Sequence, residues 1–169
     1  TEAEERVYNA VLLDIGVGID GGNVFYGNIG SDEHMANTVI GDNVNSASRL
    51  EGLTRVYKLP VIVSGYIRDE VAKETDQYVF YEIDTVQVKG KTEGLKIYFP
   101  FDTLTASAEL GRQFAEYEGA LVAYYSGDWK RARIHFKACG LEVATVFLDR
   151  MGLKKAPEGW SGIWTMTTK

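Results

Sequence analysis

Cysteine is almost missing from this sequence: Cys139 is the single one in 169 residues. That excludes an internal disulfide framework and suits a reducing compartment, the cytoplasm. A lone thiol in a helical stretch is a small core residue rather than a nucleophile. Histidine is nearly as scarce. His34 and His135 lie far apart and have no metal-ligand spacing. No run approaches the ~20 apolar residues of a membrane span. No signal peptide opens the chain, and any membrane anchor of a longer parent would lie outside these residues. Basic charge is also short: 18 Lys and Arg stand against 24 Asp and Glu, a net charge of −6. A nucleic-acid duplex repels such a surface, so general nucleic-acid binding is excluded, while a local basic pocket for one nucleotide is not. What is present can build a core. The chain is 45% hydrophobic and 12% aromatic, which excludes wholesale disorder. Its length fits one medium domain, or a domain with an appendage.

The first hundred residues mix strand and helix signals. Glu2–Leu13 reads as a helix end, with Val7, Ala10 and Val11 at helical spacing. It meets the strand Ile15–Ile19 with no loop signal, although connections usually take ~4–6 residues. Asp20–Asn23 is a glycine turn, and Asn23–Ile29 alternates as a returning strand, so Ile15–Ile29 is expected to be a hairpin. A helix is expected near Asn43–Tyr57, then Pro60 and a strand Val61–Ser64. Ser64 is the expected N-cap of a shorter helix to Lys73. Tyr78–Ile83, Thr85–Lys89 and Lys96–Phe101 read as three further strands, the last two joined by Gly90–Gly94.

The pattern changes after Phe101. From Ala106 to Met151 it is helical, with Phe114, Tyr117, Leu121, Tyr124 and Tyr125 in one stripe broken at Gly127-Asp128. Ala120–Phe136 looks like one tetratricopeptide-type helical hairpin. One hairpin cannot bury its own apolar face, so it should dock on the first domain or on a partner. In the irregular tail, Trp160 and Trp164 are expected anchors. The division expected is 1–102, 103–156 and 157–169.

The most informative segment is Thr38-Val-Ile-Gly-Asp-Asn-Val-Asn-Ser-Ala-Ser-Arg-Leu50. It turns a short apolar strand end into a helix. Asn45 and Arg49 stand four residues apart, about one turn, and so share a face. An amide that reads a sugar oxygen beside a guanidinium that neutralises phosphate is a nucleotide-handling pair. Together with Ile15–Gly30, Val61–Ser64, Val86–Lys91 and Leu95–Phe99, this segment resembles the second half of the catalytic domain of class III adenylate and guanylate (nucleotidyl) cyclases. The resemblance runs from about Ile15 to Phe101.

That resemblance implies an α+β, ferredoxin-like catalytic domain, a mixed sheet with helices on one face. Its N-terminal part would be missing here, and a C-terminal α-helical hairpin added. It implies formation of cyclic AMP and pyrophosphate from ATP, or of the guanine analogue from GTP, by attack of the ribose 3′-oxygen on the α-phosphorus. By the same resemblance Arg49 is the transition-state arginine and Asn45 the ribose-orienting asparagine. Lys89 grips the terminal phosphates, and Thr38 stands where the base is read. A threonine hydroxyl both donates and accepts, so it discriminates less sharply than a carboxylate. The family holds two catalytic Mg2+ or Mn2+ ions on two aspartates of the first half of its domain, and neither motif is found in this sequence. The chain alone is therefore expected to be inactive. Family sites form across a two-fold dimer, so the expected partner is a second copy or a complementary cyclase domain.

Two patterns are set aside. Gly16-Val-Gly-Ile-Asp-Gly21 fits Gly-x-Gly-x-x-Gly, but a dinucleotide fold needs a helix directly after it, and a turn and strand follow. Asp14 matches no metal position of the family. Two other functions stay open: a non-catalytic nucleotide-binding or regulatory partner, and an interaction module acting through the helical segment.

Overall fold

The computed structural model describes residues 15–31, 34–87, 94–105 and 107–165. The expected helix Glu2–Leu13, Asp14 and most of the Gly90–Gly94 connection lie outside them. Among the described residues no helix is long and apolar enough to cross a membrane.

The chain forms β1 (Val17–Ile19), β2 (Phe25–Ser31), β3 (His34–Ile40), α1 (Asp42–Tyr57), β4 (Val61–Ser64) and α2 (Gly65–Glu74). Then come β5 (Tyr78–Gln87), β6 (Leu95–Asp102), α3 (Ala108–Tyr125), α4 (Trp129–Ala138), α5 (Ala144–Met151) and β7 (Trp164–Thr165). Among the described residues five strands make one mixed sheet in the order β1-β4-β6-β5-β7, and β2 and β3 make a separate two-stranded ribbon. The α+β architecture is thus a mixed sheet with packed helices.

The first hairpin is not where the sequence pattern put it. β1 does not return on β2. It runs parallel to β4, Val17 opposite Val61, and the Val17 amide donates to the Pro60 carbonyl at 2.9 Å. β2 instead pairs antiparallel with β3 along its whole length, Phe25 opposite Ile40 through Ser31 opposite His34. The reason is length. β1 has three residues to offer and β3 has seven, so the longer ladder satisfies more backbone groups. A second correction concerns Asp84. Two strands were expected around it, but β5 is continuous from Tyr78 to Gln87 and pairs with β6 through an irregularity between Glu82 and Asp84. A bulge absorbs the misfit without ending the strand.

Helix α1 buries Leu50, Leu53, Thr54 and Tyr57 along one stripe. It ends at Lys58, which adopts a left-handed φ of 55°, and Leu59 and Pro60 then lead into β4. Ser64 caps α2 as expected, its hydroxyl accepting from the Ile67 amide at 3.3 Å. On β6, Tyr98 lies beneath the Arg68 guanidinium of α2, while Phe99 stacks on Phe114 of α3. Neighbouring strand residues point oppositely, so helices cover both faces of β6, where the sequence pattern had suggested helices on one face.

The C-terminal helices do not stand apart. Phe114, Tyr117 and Tyr124 of α3, Phe136 of α4 and Phe147 of α5 belong to the same buried cluster as Leu50, Ile62, Ile83 and Ile97. Each such side chain contributes about 1.5–3 kcal/mol when fully buried. The tail is pinned as its tryptophans promised. The Trp160 indole donates to the Tyr124 carbonyl at 2.9 Å, and its ring packs edge-on against Tyr124 and Trp129. Trp164 pairs beside Val86 in β7. Cys139 is buried, and its thiol donates to the Phe136 carbonyl.

Candidate functional site

β3 feeds α1 through Gly41 alone, so the strand end and the helix start form one rigid corner. The Val44 and Asn45 amides both donate to the Gly41 carbonyl, at 3.1 and 3.3 Å. The Asn43 side chain donates to the Asn23 carbonyl at 3.3 Å, tying the first turn of α1 to the loop before β2. Asn45 and Arg49 follow on an exposed flank of the helix, about 40° apart around its axis. Neither makes a side-chain hydrogen bond or ion pair with another described residue. Arg55, six residues on, differs: its guanidinium is held by Glu51 at 2.7 Å. Arg49 keeps its planar fork open.

What fixes the turn carrying Arg49 is β1. A Cβ on Gly18 would lie 2.2 Å from the Glu51 amide nitrogen and 2.4 Å from the Ala47 carbonyl oxygen. A Cβ on Gly16 would lie 1.9 Å from the Thr54 hydroxyl. Only glycine permits this approach. The Gly-x-Gly pattern that resembled a dinucleotide loop is therefore the seat of α1.

Thr38 lies half-buried in β3 opposite Gly27, just before the Gly41 corner. The structure therefore puts Thr38, Asn45 and Arg49 on consecutive elements. Lys89 lies outside the described residues. Sequence reasoning missed one cluster altogether. The Tyr57 hydroxyl donates to Asp84 Oδ2 at 2.6 Å, and Arg150 donates to the same oxygen at 2.5 Å and to the Tyr57 hydroxyl at 2.7 Å. Burial pushes the Asp84 carboxyl up, against the opposing pull of Arg150 and the hydrogen bonds. The missed signal was an acid inside an apolar strand, between Ile83 and Thr85.

Among the described residues no group of three His, Cys, Asp or Glu side chains could hold a metal ion. These residues do not fit a resident Mg2+ or Mn2+, and no chemical step is assigned to one held by them.

The profile of the adenylate and guanylate cyclase catalytic domain matches residues 2–100. The chain belongs to this family. Curated relatives agree. It is 39% identical over 88 residues to an adenylate cyclase of Anabaena cylindrica and 38% over 81 residues to adenylate cyclase 1 of Rhizobium meliloti. A terminal-differentiation specific adenylate cyclase of Dictyostelium discoideum is 34% identical over 90 residues. These matches take in 51%, 48% and 53% of this chain but 17%, 12% and 4% of the relatives, so the chain spans less than a fifth of each. The adenylyl cyclase CyaB from P. aeruginosa superposes at a TM-score of 0.49 and 27% identity, over 60% of this chain and 50% of that one.

Proposed function

We propose that this chain supplies the transition-state side of an adenylate cyclase site, and that a partner domain supplies the metal side. The observation that carries the reading is the α1 corner. It holds an open guanidinium and an open carboxamide one turn apart, on a helix whose backbone is clamped from behind by β1.

In the proposed reaction the ribose 3′-hydroxyl of ATP gives its proton to solvent water and its oxygen attacks the α-phosphorus. A 3′,5′-cyclic phosphodiester forms and the bond to the departing pyrophosphate breaks. Asn45 orients the ribose by hydrogen bonding. Arg49 donates to the equatorial oxygens as negative charge gathers there, a task for a planar, permanently charged fork. Losing one such donor costs about 3 kcal/mol or more of barrier. Thr38 meets the base edge, where its hydroxyl both donates and accepts, and Lys89 holds the terminal phosphates. Carboxylates of the partner domain would hold Mg2+ or Mn2+, which would supply the remaining charge neutralisation. In this reading 1–102 is the partial catalytic domain, 103–156 a tetratricopeptide-like extension, and 157–169 an irregular tail anchored through Trp160 and Trp164.

Assembly across a two-fold axis is supported by the β2–β3 ribbon. Phe25 is 83% exposed and Tyr26 71%, with Ile29, Met35, Val39 and Ile40 exposed beside them. A patch of this kind on a ribbon with no covering layer among the described residues marks an association surface. A second copy or a complementary cyclase domain fits it.

Manganese-ATP turnover tests the proposal. The chain is assayed alone and mixed with a cyclase domain that keeps its metal aspartates but lacks its own transition-state arginine. Cyclic AMP from the mixture alone is the expected result. Nucleotide binding without turnover in either sample would make the chain a regulatory partner. Neither binding nor turnover would leave the helical segment as the working part.

A further inference from the structure

The far end of α1 is held by the part of the chain that lies beyond the family's catalytic domain. Tyr57, its last residue, is fully buried, and so is Asp84 on β5. The third member, Arg150, comes from α5. Asp84 uses both oxygens: Oδ2 takes the Tyr57 hydroxyl and the Arg150 guanidinium, and Oδ1 takes the Thr85 amide at 2.7 Å. The Arg150 guanidinium also sits over the rings of Phe147, Trp164 and Tyr57, at 5.0, 5.1 and 5.5 Å from their centroids. One residue on, Lys58 pairs with Glu142 ahead of α5 at 2.9 Å. Helix α1 is thus fixed at three places: by Gly41 and Asn43 at its start, by β1 at its middle, and by the C-terminal helices at its end.

A buried charge-assisted cluster is a stiff joint, because each member leaves the others unpaired if it moves. Tyr57 lies eight residues from Arg49, about 12 Å along the helix axis. A helix is rigid over that distance, so a tilt at Tyr57 displaces Arg49. Catalytic geometry is sensitive to such shifts: a 1 Å misplacement can cost on the order of 100-fold in rate.

Resting on the function proposed above, we infer that the Tyr57–Asp84–Arg150 cluster positions α1, so that Arg49 and Asn45 reach working geometry only with the C-terminal helices docked. None of the three touches the substrate. They are positioning residues, and they make the extension a required part of the catalytic unit.

The test uses the full chain in the complementation mixture, with Tyr57→Phe as the mild variant and Arg150→Met as the severe one. Expected is a fall in kcat of about tenfold or more for Tyr57→Phe, with KM for ATP nearly unchanged. The same substitution in an Arg49→Ala background should then cost clearly less, because one of the two groups being positioned is gone. No turnover from the wild-type mixture overturns the proposed function and this inference with it. Wild-type turnover with an unaltered kcat in Tyr57→Phe overturns the inference alone. So does a loss that multiplies in full with that of Arg49→Ala.

Discussion

Replacing Arg150 by Met removes the cation that balances a carboxyl wholly out of water. The Asp84 side chain is 0% exposed and that of Arg150 7%. Breaking such a pair from one side costs about 3–5 kcal/mol, since the remaining charge stays buried and unpaired. A domain of this size loses about 2–4 °C of Tm per kcal/mol, so melting should fall by roughly 6–20 °C. The deficit should depend on pH with a definite sign. Burial already raises the Asp84 carboxyl, and removing Arg150 raises it further. A carboxyl raised in the folded state favours folding below its unfolded value, ~3.9, and loses that contribution as pH rises through the folded value. The Arg150→Met deficit should therefore shrink on acidification and be largest at neutral pH. Replacing the whole cluster (Asp84→Leu, Arg150→Met and Tyr57→Phe) should recover most of the loss, because an apolar substitute leaves nothing unpaired. Urea unfolding across a pH series measures all of this. A loss below about 1 kcal/mol at neutral pH, the level of a surface pair, would refute the reasoning.

Three other outcomes follow from the packing. Gly18→Ala should destabilise by about 1–3 kcal/mol or more in urea unfolding, because its Cβ would press on the backbone of α1, which cannot step aside. Trp160→Ala should cost about 3–5 kcal/mol by the same measure and open the tail to limited proteolysis near Gly159, since the indole packs on Tyr124 and Trp129. The Cys139 thiol, pushed up by burial, should resist an aromatic disulfide reagent in the native state and react at once in denaturant.

Much of the fold was legible because local signals and tertiary packing agree there. The run near Asn43–Tyr57 closed by Pro60 read as α1, Ser64 marked the start of α2, and the aromatic stripe of Phe114, Tyr117 and Tyr124 marked α3. Where the sequence misled, a non-local choice decided. Alternation in Asn23–Ile29 marks a strand but not its partner, and β3 won the pairing by length. Asp84 looked like a strand break because an acid rarely faces a core. Its partners, Tyr57 and Arg150, lie 27 and 66 residues away, beyond any local pattern. In the candidate site, Asn45 and Arg49 could be read from one helical turn. The part played by Gly16 and Gly18 could not, since it exists only once β1 lies against α1.

The central claim is that Arg49 completes a cyclase site in a partner domain, and one comparison tests it most directly. Arg49→Ala and Arg55→Ala chains are each assayed for manganese-ATP turnover in the complementation mixture. Arg55 is on the same helix but is held by Glu51. The account predicts a kcat loss of about 100-fold or more for Arg49→Ala and almost none for Arg55→Ala. Equal effects of the two substitutions, or full activity without Arg49, would contradict it.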